Sequence, residues 1–543
     1  MLYAFKCKQM PNFGDDPDIS KLMPLHKNYD SSQLTALSAL LNKNRPIVAV
    51  HGAAGTGKTL LLAQYLDIIL KSDEYKNMPI AVISPSTSSL YRIIDFYCSI
   101  ASKEILKEIP FIIMREFDSS ASIFSLKNPN VQQLVKLASF QNFKRIYSEE
   151  VLNICEELDF KKSKDGLRSQ KISSLIQHMQ SLKHNELYDF IQKRRIVFLT
   201  FSPTKFQLLE RIGIKFGGVI IDNAERINES ESWQTILKTS SFVRLFGDYH
   251  QFIKPSSIEQ LKLNYNKSLL QKLDEDFGDS NVNFHLNRQY TANSTIRAWG
   301  DSVLYKEKKA IPADKYVEEM NLNEILMPNL KNKTPKLITE PLVLVDTSKL
   351  EGEWKESMFE TEKVDTFGSK YDYQNYRNWG MALIAAQHIN LLLQNGINPN
   401  EIAHPLSSVP HHRISYEIFG TLWPYNVNKF IRIFTSHQSR LCGTHFSVNI
   451  RAFLDNQFVF QENDYQRLLA SLNFTLSRAN RQFMLISDIK NLENNCVPKL
   501  KEMLECFRST GGIIVGPNDI FPLKNGQFEE IKNLVKKKLK MFK

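Results

Sequence analysis

Gly52-Ala-Ala-Gly55-Thr-Gly57-Lys58-Thr59 follows the apolar run Ile47 to Val50 and precedes Leu60-Leu-Leu-Ala-Gln-Tyr-Leu66. A buried strand, a glycine-rich loop and a helix in that order tie the chain to an α/β fold, because such a loop works only where a strand delivers it to a helix N-terminus. Gly52, Gly55 and Gly57 let backbone N–H groups close around a polyphosphate. Lys58 can reach the β and γ phosphates, and the Thr59 hydroxyl can hold Mg²⁺. The segment therefore predicts a nucleotide site.

Other strand-like runs alternate with helical stretches. Ile80-Ala-Val-Ile83, Ile196-Val-Phe-Leu199, Val219-Ile-Ile221 and Phe242 to Phe246 are short and rich in β-branched or aromatic residues, as buried parallel strands are. A second set comprises Pro341 to Val345, Phe430 to Phe434, Phe446 to Ile450 and Phe483 to Ile486, and a helix from about Met381 to Gln394 stops at Asn395-Gly396. At 543 residues the chain is too long for one ordinary core. The expected division is a lead-in over 1–30, a first α/β unit over 31–305 with a charged helical insert at 100–192, a connector over 306–375, a second unit over 376–490, and a basic helical tail over 491–543.

Hydrophobic residues make up 42% and charged residues 23%, which excludes a disordered or collagen-like chain. The net charge of +11 favours a polyanionic partner without deciding it. Six scattered cysteines form no CxxC pair or zinc-spaced cluster, and no stretch approaches the ~18 apolar residues of a membrane span. The expectation is an intracellular, monomeric protein of cytoplasm or nucleus with reduced thiols and no membrane partner. The tail Ile531 to Lys543 reads first as a solvated helix end, with a nuclear address or a nucleic-acid contact as the alternatives.

A P-loop needs an acidic partner for its metal, usually at the end of a neighbouring strand. Val219-Ile-Ile-Asp222 supplies it, and Gly247-Asp248-Tyr-His-Gln251 followed by Pro255 comes one helix and one strand later. This Gly-Asp-x-x-Gln segment resembles motif III of superfamily 1 helicases, in which the Gln senses the γ-phosphate. Further segments match that superfamily in order, above all its subgroup B, the branch of the nonsense-mediated decay helicase. Ser31-Ser-Gln33 resembles the adenine-reading Q motif, Ile83-Ser-Pro-Ser-Thr87 motif Ia, and Thr200-Phe-Ser202 motif Ib. Leu286-Asn-Arg-Gln289-Tyr290 resembles motif IV, whose Tyr stacks near the base, and Asn473 to Ala479 resembles motif VI, whose finger would be Arg478.

The resemblance, spanning about residues 30 to 490, implies two tandem RecA-like units with ATP and Mg²⁺ in the cleft between them and single-stranded RNA or DNA across the top. In that frame Lys58 and Thr59 hold phosphate and metal, Asp222 orders the metal water, Gln251 and Arg478 sense the γ-phosphate, and Gln33 and Tyr290 bracket the adenine. Thr87, Thr200, Ser202 and Lys193-Arg-Arg195 become candidates for phosphate contacts to the strand, against the plain alternative of turn hydroxyls and a solvated basic run.

The chain departs from the pattern where hydrolysis is concerned. The Walker B Glu is Asn223, which cannot take a proton at neutral pH, and loss of a general base typically costs ~10² to 10⁴ in rate. Thr291 stands where motif IV has Arg, and loss of such a cation can cost ~10³ to 10⁵. The motif V Glu is missing at Gln438 to Leu441 and at Cys442-Gly443-Thr444, and Asn375 to Trp379 lacks its Glu as well. Binding without efficient turnover is the leading expectation. A working helicase that recruits Glu225 or Arg288 is the first alternative, a nucleotide-gated scaffold without nucleic acid the second, and a small-molecule kinase the weakest.

Overall fold

The computed structural model describes residues 11–19, 29–72, 78–101, 111–114, 132, 185–189, 191–236, 239–252, 267–279, 281–326, 335–349, 362–363, 376–406, 409–423, 431–435, 445–452, 462–494, 498–520, 530 and 533–534. Seven strands form the first sheet: β1 (Ile47–Gly52), β2 (Ile80–Ser84), β3 (Phe111–Met114), β4 (Ile196–Thr200), β5 (Phe216–Asp222), β6 (Thr239–Gly247) and β7 (Asn283–Leu286). They lie in the order β3-β4-β2-β5-β6-β1-β7, and every pairing is parallel. Two short ribbons follow, β8 (Arg288–Gln289) with β9 (Ile311–Pro312), and β11 (Glu362–Lys363) with β12 (Tyr376–Arg377).

The second sheet is also all parallel. It contains β10 (Leu342–Asp346), β13 (Ile402–Leu406), β14 (Arg432–Thr435), β15 (Phe446–Ala452), β16 (Ala479–Ser487) and β17 (Ile513–Val515), in the order β14-β13-β15-β16-β10-β17. The two sheets form α/β units in tandem along the chain.

Side-chain alternation along each strand builds a core on both faces of each sheet. Val48 and Val50 join Leu37, Leu61, Leu66 and Ile93 on one face, whereas Ile47 and Ala49 join Val197, Leu199 and Ile221 on the other. Val343, Val345, Met484 and Ile486 pack with the helix Trp379–Gln394, while Leu342, Leu344, Phe483 and Leu485 pack with Leu469, Leu472 and Leu504. Helices are therefore needed on both sides, which is why β5 and β10 are buried along their whole length.

Some expectations shift. The second sheet takes strands from both sides of the 376–490 span: β10 falls inside the expected connector, and β17 lies within the expected tail. β3 extends the edge of the first sheet from within the expected helical insert, the rest of which lies almost wholly outside the described residues. The Gln438 to Thr444 segment and nearly all of Ile531 to Lys543 also lie outside them.

Three helices position the candidate site. α1 (Ser31–Leu41) starts with a capping box in which Asp30 accepts from the Gln33 backbone and Gln33 Oε1 accepts from the Asp30 backbone. α2 (Lys58–Lys71) leaves the P-loop, and α3 (Thr87–Ile100) is capped by Ser86, which accepts from the Ser89 N–H.

Candidate functional site

Register brings the three strongest motifs together. Asp222 lies beside Phe246, Phe246 beside Val50, and Gly247 beside His51, so the C-terminal ends of β5, β6 and β1 present Asp222, Asp248 and the P-loop side by side. Ligands of open parallel sheets collect at such strand ends. From the opposite side come His445 and Arg478, each placed immediately before a strand of the second sheet, with the Phe446 N–H donating to the Arg478 carbonyl at 2.8 Å. Between them is a cavity of about 350 Å³, lined in part by Gly57, Lys58, Thr59, Asp222, Gln251 and Arg478.

The loop itself is shaped for a ligand. Gly55 and Gly57 hold φ of +80° and +86°, a region that side-chain-bearing residues rarely adopt. A Cβ on Gly55 would meet Thr291 Oγ1 at 2.0 Å, and one on Gly57 would meet Gln33 Nε2 at 2.6 Å. Lys58 Nζ donates to the loop carbonyls of Gly52 and, at 3.0 Å, Ala53. Burial lowers the Lys58 pKa, while Asp248 and Glu225 oppose that shift.

Gln33 is buried against the same loop and donates from Nε2 to the Thr56 carbonyl at 3.0 Å. With Oε1 engaged in the capping box, both ends of this amide are held within the protein. Tyr290 is 36% exposed at the cavity rim, where its hydroxyl donates to Asp30 at 2.7 Å. Its ring is thereby tethered to the residue that caps α1.

Asp222 is buried, and its pKa rises to about 7, first because of burial and then because of Glu225 nearby. Such a carboxylate calls for a cation. Asp222 and the Thr59 hydroxyl are the groups that would hold Mg²⁺, which supplies positive charge to phosphate oxygens when bound. Asn223 donates from Nδ2 to Asp222 Oδ2 at 2.7 Å, so a donor occupies the place where a base is expected. It does so at φ 53°, ψ 46°, a left-handed conformation that Asn tolerates better than most residues.

Gln251 and Arg478 meet directly. Arg478 donates to Gln251 Oε1 at 2.6 Å, Gln251 donates to Asp248 at 2.6 Å, and the Tyr305 hydroxyl donates to the same Asp248 oxygen at 2.6 Å. Asn473 Nδ2 closes the network on the Tyr305 oxygen and the His250 carbonyl, both at 3.0 Å. Phe474 is flanked by Arg226 and Arg478, whose guanidinium carbons lie 5.2 and 4.6 Å from its ring centre. These contacts join the Gly-Asp-x-x-Gln segment of one unit to the motif VI-like helix of the other.

Thr87, Thr200 and Ser202 gather at the C-terminal ends of the adjacent strands β2 and β4, with Ser84 paired to Thr200, yet all three side chains are buried. Arg195 is turned inward, donating to the Ser72 carbonyl at 3.0 Å. Arg288 donates to the Pro312 carbonyl, whereas Glu225 reaches the cavity wall and accepts from the Asp248 N–H at 3.1 Å. Burial raises the Glu225 pKa.

Two cavity residues, Arg92 and His445, carry no motif signal of their own. Helical spacing from Thr87 could have pointed to Arg92. His445 directly follows Cys442-Gly443-Thr444 and stands where a motif V acid would be sought. Behind the loop, His51 stacks on His285 at 4.7 Å, and Asp274 lies within metal-ligand reach of both. Lys308 Nζ, 2.9 Å from Asp274 and 3.3 Å from His285 Nε2, already supplies that cluster with a cation.

Residues 28–253 match the AAA domain family. The chain is 24% identical over 528 residues to the DNA polymerase alpha-associated DNA helicase A of Saccharomyces cerevisiae, covering 89% of this chain and 68% of that protein. It is 20% identical over 385 residues to an uncharacterized ATP-dependent helicase of Methanocaldococcus jannaschii, covering 63% of this chain and only 55% of that relative. Among solved structures, S. cerevisiae Dbp5 bound to RNA and ADP BeF3 aligns over 93% of both chains at 9% identity and a TM-score of 0.39. The PRRSV helicase aligns over 85% of this chain and 56% of its own, at 9% and 0.34. Scores of that size do not decide function. The matched domain and the two relatives make the chain similar to helicases over most of its length.

Proposed function

We propose that this chain is a superfamily 1 helicase-like protein of the decay-helicase branch that binds ATP and Mg²⁺ between its two units and acts on single-stranded nucleic acid, with hydrolysis slow or lost. One observation carries the reading. The groups for gripping phosphate and metal (Lys58, Thr59, Asp222, Gln251 and Arg478) surround one cavity, while Asn223 directs a donor at Asp222 where a water-activating acid is required. Grip and turnover depend on different side chains, so one can persist without the other.

RNA is the first choice of strand because the decay-helicase branch is rich in RNA motors, and the name of the yeast relative sets DNA beside it. Thr87, Thr200 and Ser202 mark the sheet edge where the strand would lie, contacted mainly through phosphates. Cytoplasm or nucleus and a monomeric state complete the reading. The test measures phosphate release with and without single-stranded RNA and DNA, alongside nucleotide affinity. Tight, Lys58-dependent binding with negligible release supports the proposal. Rapid strand-stimulated release abolished in Lys58→Ala sinks it.

The position of Glu225 favours a second reading. This carboxylate lines the cavity beside Asp222, and burial raises its proton affinity above that of an ordinary carboxylate, which strengthens it as a base. If it substitutes for the missing acid, residual phosphate release disappears in Glu225→Gln while nucleotide affinity stays within about threefold of wild type.

A further inference from the structure

Thr291 is not an empty place awaiting an arginine. Its hydroxyl sits where a Gly55 Cβ would be, accepts from Gln289 Nε2 at 3.2 Å, and is locked by the Thr291 N–H donating to Gln289 Oε1 at 3.2 Å. The second phosphate cation must come from elsewhere if the cleft has one.

Arg92 lies on α3, five residues beyond Thr87, and lines the same cavity as Lys58, Asp222 and Arg478. Its guanidinium stands over the Phe96 ring, 5.3 Å from the centre, an arrangement that fixes the plane of the fork. Among the described residues it makes no hydrogen bond or ion pair. Burial, with Arg478 second, lowers its pKa to about 10 while Asp222 and Asp95 oppose the shift, so the group remains charged at neutral pH. His445 completes the wall with its buried Nδ1 unpartnered among the described residues, and it is kept neutral by burial and by Arg478 and Arg92.

Resting on the nucleotide reading above, we propose that Arg92 is the second γ-phosphate cation of this chain and replaces the arginine absent at Thr291. A planar, always-charged fork suits two oxygens of a terminal phosphate. Being on the helix that opens at Thr87, it also ties phosphate occupancy to the edge expected to face the nucleic acid.

The full-length protein is titrated with Mg²⁺·AMP-PNP and with Mg²⁺·ADP, comparing wild type, Arg92→Ala, Arg92→Lys and the double variant Arg92→Ala/Thr291→Arg. Arg92→Ala weakens AMP-PNP at least about tenfold while ADP changes less than about threefold, and Arg92→Lys falls between. ADP affinity also reports that each variant is folded. Recovery of AMP-PNP affinity in the double variant adds support. An unchanged AMP-PNP to ADP ratio in Arg92→Ala overturns the assignment of Arg92 alone. Failure of the wild type to bind either nucleotide overturns the nucleotide reading and this inference with it.

Discussion

Restoring the family acid by Asn223→Glu is expected to exact a cost in stability before it gives any catalysis. Asn223 is held at φ 53°, where an ordinary L-residue pays about 1 to 2 kcal/mol and Asn pays less. The substitution also removes the 2.7 Å hydrogen bond to Asp222, worth about 1.5 to 3 kcal/mol with a charged acceptor. It sets another carboxylate against Asp222, already raised to about 7 by burial and Glu225. Together these predict a loss of about 3 kcal/mol in nucleotide-free protein, equivalent to roughly 6 to 12 °C in Tm for a unit of this size. Asn223→Gly isolates the hydrogen bond, since glycine accepts the backbone freely. Scanning calorimetry of both variants is paired with phosphate release in Mg²⁺·ATP, where Asn223→Glu should exceed wild type by about 10². An Asn223→Glu protein that melts with the wild type refutes the backbone and hydrogen-bond account. A stable variant with no gain in turnover refutes the identification of position 223 as the missing base.

Gly55→Ala places a Cβ 2.0 Å from Thr291 Oγ1 at a φ of +80°, so equilibrium titration should show ATP affinity lowered at least about tenfold, and an unaltered Kd contradicts the loop geometry. Gln251→Ala frees Arg478 from its 2.6 Å partner across the cleft, and proteolysis or hydrogen exchange should report looser union of the two units in nucleotide-free protein, with no change counting against this tie. His388 and His404 are buried with pKa values lowered to about 4, by burial first in each case. Unfolded histidines bind protons below about pH 6.5 while these do not, so stability is flat above that pH and falls as pH drops toward about 4, by on the order of 3 kcal/mol per histidine. Urea unfolding at pH 7.5, 6.0 and 4.5 checks the slope, and equal midpoints refute it.

The P-loop, Asp222 and Gly247 to Gln251 were legible because each couples a strand run to a turn of fixed chemistry. β7 was hidden by its polar residues: Asn283 and His285 are satisfied by tertiary partners, Asn283 by the Leu273 carbonyl and the His51 ring. Such bonds have no period in sequence. β13 reads Ile-Ala-His-Pro-Leu and is likewise obscured by His404, which pairs with the Ile450 carbonyl. The second sheet reaches beyond 376–490 because β10, a strand of the second set in sequence, is separated from its sheet neighbours along the chain, and β17 is only three residues long and arrives after a helical stretch. The Glu-to-Asn change at 223 was visible, but its hydrogen bond to Asp222 and its left-handed backbone were not.

The partners of the two cleft arginines set an order for ligand capture. Arg478 is already engaged with Gln251, which is itself held by Asp248, and Asp248 by Tyr305. A phosphate that takes Arg478 must displace a charge-assisted bond and disturb a chain of contacts joining the units, at a cost of about 1.5 to 3 kcal/mol before any gain. Arg92 has no such bond to lose among the described residues. An incoming terminal phosphate would therefore meet Arg92 on the first unit at little cost, whereas Lys58 must release the Gly52 and Ala53 carbonyls and Arg478 must release Gln251. On the proposed reading, with Asn223 in place of the acid, that exchange would lead to no rapid cleavage. The state it would favour is a loaded one in which the Gln251–Arg478 pair has opened, with Asn473 and Phe474 the contacts through which the second unit would register the change.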